Sequence, residues 1–382
     1  MNRFIYLDHA ATTNIKKEVL DKMEPYLYEN FGNPSSIYEL GRNNRVAIEG
    51  SRSEVALAIN SLAEEIYFTS CGTEADNWAI KGICFANKSK GNHIITSSIE
   101  HPAVKKTCEY MEQLGFEVTY LPVNEYGVIS IKEPENSIKE STILISIMFA
   151  NNEVGTIQPI KEIGTIARER NIYFHTDAVQ AIGNIDIDVN KYNIDLLSLS
   201  AHKFYGPKGI EALYIRNEIE IDPLIHGGSQ EHGKKSGTEN VSGIIGMGKA
   251  IELSTKNIRI KNSKIIEVRN KFIQDVYDHI PNSSLNSHPI ESLPGIVNIE
   301  FKDIDARFIV SMLDQNGIFV SNGSACSCRS ENSSHVLLAM GKFENTALSS
   351  LRFSFGEENT KEEVSDVIKI LSKEIFNYRN NL

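Results

Sequence analysis

The sequence is short of cysteine and of positive charge, and it has no long apolar run. Its cysteines are Cys71, Cys84, Cys108, Cys326 and Cys328, few and odd in number for 382 residues. That pattern speaks for reduced thiols and against a disulfide framework. Cys326 and Cys328 form a Cys-x-Cys, and with the distant His335 this is a poor match to zinc-ligand spacing, so no metal is expected. Lys and Arg total 39 against 50 Asp and Glu, a formal charge of −11. An acidic surface of this kind argues against direct nucleic-acid binding. No apolar stretch approaches the roughly 20 residues of a membrane span. Residues 1–6 show no basic stretch followed by a long apolar one. Neither a membrane partner nor a signal peptide is expected, and the expected compartment is the cytoplasm. Internal repeats and low-complexity segments are missing too.

What is present is a patterned, core-forming chain. Hydrophobic residues make up 41%, enough for a sizeable core, and the length suits one large domain plus a smaller one. From about residue 53 to 215, short apolar runs alternate with amphipathic stretches. Strands are expected at 65–69, 93–97, 117–121, 142–148, 172–176, 196–200 and 212–215, with helices at 73–84, 102–114 and 160–170. Such alternation favours a mostly parallel sheet with helices on both faces. Ligands of such sheets bind beyond the carboxyl ends of the strands. Residues 240–278 turn helical and charged, as one long helix or a pair. After them, 295–301, 317–320 and 350–355 read as strands of a smaller α+β region. A last helix opens with a capping box of Thr360 and Glu363, and Val364, Val367, Ile368, Leu371 and Ile375 give it one apolar face.

Two strand ends carry chemistry. Lys203 closes Ser200-Ala201-His202-Lys203, and Asp177 ends the run 172–176. A lysine amine and a carboxylate so placed suit pyridoxal phosphate. The amine bonds the cofactor aldehyde, and the acid keeps the pyridine nitrogen protonated so that the ring takes up electrons. In isolation, a surface lysine and a capping aspartate would look the same. Ser70-Cys71-Gly72-Thr73-Glu74 joins a strand to a helix, where free N–H groups, close approach at Gly72 and the Thr73 hydroxyl suit a phosphate. A plain capped turn fits that segment as well. His101 stands at another such junction, able to stack on a ring and move protons, or to serve only structure before Pro102. Asn152 follows a buried strand and Gln180 lies three residues past Asp177. Each could hydrogen-bond a cofactor or substrate oxygen. Arg352 is a charge inside an apolar strand and needs an anion, either an amino-acid carboxylate or an internal acid. Cys326 lies in a small, polar run, 321–330, that reads as an exposed loop. An accessible thiolate there is a nucleophile; a bland reading is an incidental surface thiol.

Together these stretches resemble the pyridoxal-phosphate-dependent cysteine desulfurases, the NifS/IscS-like family among class-V aminotransferases. The resemblance spans nearly the whole chain, from Tyr6-Leu7-Asp8-His9-Ala10-Ala11-Thr12-Thr13 through Gly32-Asn33-Pro34-Ser35-Ser36 to Leu351-Arg352-Phe353-Ser354. It is most specific at 200–209 and at Gly323-Ser324-Ala325-Cys326. It implies the α/β fold type I, aspartate-aminotransferase-like. A large cofactor-binding domain would cover 15–256, and a small α+β domain would combine 1–14 with 257–382 and carry the cysteine loop. It also implies a homodimer. By the same resemblance, Lys203 is the lysine bonded to the cofactor, Asp177 the partner of the pyridine nitrogen, Gln180 the ligand of the ring oxygen and His101 the stacked residue. Gly72, Thr73, Ser200 and His202 match the phosphate ligands, and Thr238 the phosphate contact donated by the other subunit. Asn152 and Arg352 match substrate-positioning residues, with Asn152 also near the cofactor, and Cys326 matches the catalytic cysteine. The implied reaction turns L-cysteine into L-alanine with a persulfide on Cys326. The sulfur then passes to an acceptor protein, an iron–sulfur scaffold or a tRNA-thiolation enzyme. The spacing from Cys326 to Ser334-His335 resembles the longer-loop subgroup, whose cysteine travels to carrier proteins.

The chain departs from that family at several positions. Lys235 and His232 stand where arginine is usual, Glu211 where glycine is common, Tyr38 where histidine is common, and Cys71 and Cys328 where small residues are usual. Two thiols on one loop raise the possibility that Cys328 attacks a Cys326 persulfide and releases sulfide. Two other functions compete. One is a different pyridoxal phosphate enzyme on this fold, a selenocysteine lyase or an aminotransferase, which can do without a loop nucleophile. The other is a non-catalytic scaffold or sulfur carrier, which has no use for Lys203, Asp177, His101 and Cys326 together.

Overall fold

A computed structural model describes residues 4–323 and 333–380. Its strands in chain order are β1 (Ile5–Tyr6), β2 (Ile66–Thr69), β3 (His93–Ser97), β4 (Glu117–Leu121), β5 (Thr142–Ser146), β6 (Tyr173–Asp177), β7 (Leu196–Ser200), β8 (Glu211–Ile215), β9 (Ser283–Leu285), β10 (Ile296–Phe301), β11 (Ile318–Phe319) and β12 (Ser350–Ser354). The main sheet has seven strands in the order β2-β8-β7-β6-β5-β3-β4. Strands β3 to β7 run parallel, while β8 is antiparallel to both β7 and β2. The short connection from β7 to β8 permits only a reversal, whereas the parallel strands are joined by helical crossovers.

Both faces of this sheet are buried, and the residues alternate between them. Ile94, Leu144, Leu196 and Leu213 pack with Trp78, Ile80 and Ile83 of the helix Gly72–Ala86. Their chain neighbours Ile95, Ile145, Leu197 and Ala212 pack on the other side with Ile163, Ile244 and Met247. Burial on both faces is why these strands read as continuous apolar runs.

A second core lies beyond residue 257. Strands β12-β10-β9 form an antiparallel sheet, and β1 pairs in parallel with β11. Ile5 and Leu7 share this core with Ile265, Phe272, Val297, Phe353 and Leu371. The stretch 240–278 is a helix pair, Val241–Thr255 and Ile258–His279. It breaks at Asn257, whose φ of 57° is a left-handed conformation that asparagine tolerates. The last helix, Lys361–Asn380, carries the expected capping box: Thr360 N–H donates to Glu363 at 3.1 Å, and Glu363 N–H donates to Thr360 Oγ1 at 3.2 Å.

The sequence pattern did not point to the helix Glu39–Ile59. Its buried face includes Asn44, Ser51 and Arg52, which disguise the apolar period. Small residues are needed there, since a Cβ on Gly248 would meet Ser51 Cβ at 2.7 Å. Arg52 is paired with the equally buried Glu231 through two nitrogens, at 2.7 and 2.9 Å. Among the described residues no helix is long and apolar enough to cross a membrane.

Candidate active site

A cavity of about 250 Å³ opens beyond the carboxyl ends of β2, β3, β5, β6 and β7. The segments that follow these strands supply its walls. Gly72 and Thr73 come from the start of the helix after β2, and His101 from the junction after β3. Asn152 follows β5, Asp177 ends β6 with Gln180 just beyond, and Ser200, His202 and Lys203 follow β7. Arg352 reaches in from β12. Thr238 lies outside the cavity of the single chain. Cys326 and Cys328 lie outside the described residues.

Lys203 Nζ donates to the main-chain oxygens of Ala10 at 2.6 Å and Ala11 at 2.8 Å. Gln180 Nε2 donates to the same Ala10 oxygen at 2.9 Å. Residues 10–13 are fastened in turn. Ala10 N–H donates to Ser354 Oγ at 2.9 Å, and Thr13 Oγ1 donates to the His202 carbonyl at 2.9 Å.

Asp177 accepts the Val179 N–H at 3.0 Å. Its carboxylate, Asp76 and His101 offer donor atoms that all lie within 4.8 Å of one another. Burial raises both acids, and the proximity of Asp177 raises Asp76 further. Asp177 alone has the His101 and Lys203 charges acting in its favour. Of the two, Asp76 therefore holds a proton the more readily and Asp177 is the more readily ionised. Behind them a buried ladder ties the strands together. Ser146 Oγ and His175 Nδ1 are 2.8 Å apart, and His175 Nε2 and Ser198 Oγ are 3.1 Å apart.

Burial lowers the pKa of His101; Asp177 opposes this, while Lys203 and His335 add to it. Its Nδ1 accepts the Ala103 N–H at 3.2 Å, so the neutral ring carries its proton on Nε2. Burial, with Lys203 and Lys208, brings His202 down to about 4. At neutral pH it is an uncharged ring.

Arg352 is 1% exposed. Its Nη2 donates to Asp8 at 2.7 Å and its Nη1 to the Asn152 carbonyl at 2.9 Å, while Nε is buried without a partner. Arg352 thus has the internal acid that one of its two sequence readings required, and it also lines the cavity. Main-chain bonds join Arg352 to Ser321, N–H to O at 2.7 Å and O to N–H at 3.2 Å. Ser334 Oγ donates to Glu153 at 2.5 Å, and a Cβ on Gly323 would come within 3.7 Å of the same carboxylate. Gly323 and Ser334, the described residues on either side of 324–332, thus both lie near the Glu153 carboxylate, and Ser321 is bonded to Arg352.

Several cavity residues escaped the sequence reading. The Ala10 and Ala11 carbonyls carry no side-chain signal. Asp76 had one, an acid on the apolar face of a helix. Glu211 lines the cavity as well and stood out only as a family departure.

The profile of the family described as "Aminotransferase class-V" matches residues 5–367. The chain belongs to this family. It falls among the family's cysteine desulfurases, enzymes that depend on pyridoxal phosphate. The "Cysteine desulfurase IscS" of Methanosarcina thermophila is 54% identical over 379 residues, 99% of this chain and 94% of that protein. A solved "NifS-like protein" superposes with a TM-score of 0.93 at 36% identity, covering 98% of this chain and 100% of that one. The structure "SspA in complex with cysteine" gives a TM-score of 0.82 at 38% identity, covering 93% and 100%. The class-V fold is thus the fold type I expected from the sequence.

The cavity fits the family's cofactor on its own terms. It has a buried carboxylate for a protonated ring nitrogen, a lysine amine, and a helix start beside two strand-end residues for a phosphate.

Proposed function

We propose that this chain converts L-cysteine to L-alanine, holds the sulfur as a persulfide on Cys326, and passes it to an acceptor protein, an iron–sulfur scaffold or a tRNA-thiolation enzyme. The observation that carries the reading is the meeting of Lys203, Asp177 and Arg352 in one cavity, with Ser321 bonded to Arg352 and Ser334 to Glu153 on the chain to either side of Cys326. The bound cysteine of the SspA structure supports the choice of substrate.

Gly72, Thr73, Ser200 and His202 hold the cofactor phosphate, and Thr238 reaches a second copy of the chain across a homodimer. The division into 15–256 and 1–14 with 257–382 is supported by the two separate hydrophobic cores. Pyridoxal phosphate, when bound, supplies an electron sink next to the substrate Cα. Asp177 holds the ring proton, and Gln180 and Asn152 orient the ring and substrate oxygens. Arg352 grips the substrate carboxylate. Lys203 would hold the cofactor aldehyde and, once its Nζ is free, would take the Cα proton. The Cys326 thiolate attacks the substrate sulfur: the S–S bond forms as the C–S bond breaks, and the electron pair stays with the carbon skeleton. Proton return to that skeleton completes alanine, and His101 Nε2–H lies in the cavity to help supply it.

The test is anaerobic turnover of L-cysteine with a reductant, counting alanine and sulfide. Equimolar products from the wild type and none from Cys326→Ser are expected. Unchanged turnover in Cys326→Ser would remove the loop thiol from the mechanism and leave a lyase.

A further inference from the structure

Glu211 sits at the phosphate end of the cavity. On β8 it is in register with Thr69 of β2 on one side and with Ser200 of β7 on the other. Those two strands lead into the two halves of the phosphate cradle, Gly72 with Thr73 and Ser200 with His202. Glu211 lies between them, lines the same cavity and is 3% exposed. Its Oε1 accepts the Ser200 hydroxyl at 2.9 Å, and its Oε2 is buried without a partner.

That geometry poses an electrostatic conflict. As a carboxylate, Glu211 occupies the one proton of Ser200 and turns negative charge toward a dianionic phosphate. As a neutral acid, it offers an O–H donor on the unpartnered oxygen and frees the Ser200 proton. The surroundings favour the acid. Burial pushes the Glu211 carboxyl up to about 7; the Ser200 hydrogen bond opposes this, and the charge of Glu74 adds to it. Glu74 comes from the helix Gly72–Ala86, with Oε2 accepting the Ser70 N–H at 2.8 Å. From β2 the register neighbour is the uncharged Thr69. The turn after β7 brings His202, neutral at physiological pH, and Lys203, whose amine is bonded to the Ala10 and Ala11 carbonyls.

We propose that Glu211 binds the cofactor phosphate as a neutral acid, so that filling the cradle draws one proton from solvent onto Glu211. This rests on the assignment of Gly72, Thr73, Ser200 and His202 as the cradle. Cofactor retention is then linked to pH through a residue that takes no part in the sulfur chemistry.

The full chain, stripped of cofactor, is titrated with pyridoxal phosphate and with pyridoxal, which lacks the phosphate, between about pH 6 and 9. Wild type is compared with Glu211→Gln, which keeps the size and always offers a donor. Ionisation of the ligand and of Lys203 is common to both proteins and cancels in their ratio. The expected result is a wild-type-to-variant ratio of dissociation constants for pyridoxal phosphate that grows about tenfold per pH unit above about 7, with a flat ratio for pyridoxal. A flat ratio for both ligands, with both proteins still preferring pyridoxal phosphate, overturns the role of Glu211 and leaves the cradle standing. If neither protein prefers the phosphorylated ligand, the cradle assignment falls and takes the proposal with it. A measurement on wild type alone guards against a misfolded variant. Binding heats at pH 8, taken in two buffers of different ionisation enthalpy, should show more proton uptake with pyridoxal phosphate than with pyridoxal. Equal uptake overturns the proposal.

Discussion

Arg352 on the last strand is held by Asp8 near the start of the chain, Nη2 to carboxylate at 2.7 Å. With Nη1 on the Asn152 carbonyl, the guanidinium plane is fixed at the wall of the cavity. If Arg352 grips the substrate carboxylate as proposed, a guanidinium held on two sides lowers the entropy cost of that binding.

Asp8→Asn should therefore raise KM for L-cysteine about tenfold, or about 1.4 kcal/mol, with a smaller change in kcat and an unchanged cofactor spectrum. Arg352→Lys keeps the charge but loses the fork, and should raise KM further. Steady-state kinetics decide; a wild-type KM in Asp8→Asn would show that Asp8 does not orient the arginine.

The unequal sharing of charge between Asp76 and Asp177 has a sharp consequence. Asp177→Asn removes the carboxylate that holds the ring proton and should cut kcat on the order of 10³-fold. Asp76 holds a proton more readily than Asp177, so Asp76→Asn should cost less than about tenfold. Equal losses in the two variants would mean that both acids are charged.

The cofactor-free protein should be most stable at about pH 6 to 7. Burial, with Asp177 adding to it and hydrogen bonds from Ser97 and Met148 opposing, brings Glu100 up to about 8, while Glu211 reaches about 7. The folded state keeps protons that the unfolded chain loses above the ordinary carboxylate range, so stability falls as pH rises toward 8. On the acid side, burial takes His175 down to about 3, and His9 and His202 to about 4. The unfolded chain binds protons there that the folded state refuses, so stability falls as pH drops below about 6.5. Melting temperatures across pH should trace this dome, and Glu100→Gln should flatten its alkaline limb. An alkaline limb unchanged in that variant would contradict the assignment.

The parts of this molecule legible in the sequence were those governed by local pattern. Strands β2 to β8 fell within a residue or two of expectation because burial on both faces leaves an uninterrupted apolar run. Lys203, Asp177 and His101 stood out only together, since each alone reads equally well as a surface, capping or structural residue. What stayed hidden depends on distant partners. Asp76 acquires meaning only beside Asp177, and the Ala10 carbonyl only beneath Lys203. Glu39–Ile59 was obscured by Arg52, whose burial makes sense only once Glu231 is known to meet it.

The fastening of residues 5–13 also sets an order of events during synthesis. β1 finds its partner only at Ile318–Phe319, Ala10 needs Ser354, and Arg352 arrives with β12. The large sheet is complete at Ile215, so it is free to form on the ribosome while the cofactor pocket still lacks its floor and its arginine. At about 5–20 residues per second, the interval between Lys203 and Arg352 leaving the ribosome is on the order of ten seconds. During it Lys203 is present without Arg352, and the cavity gains its last wall only once translation has reached the C-terminal strand.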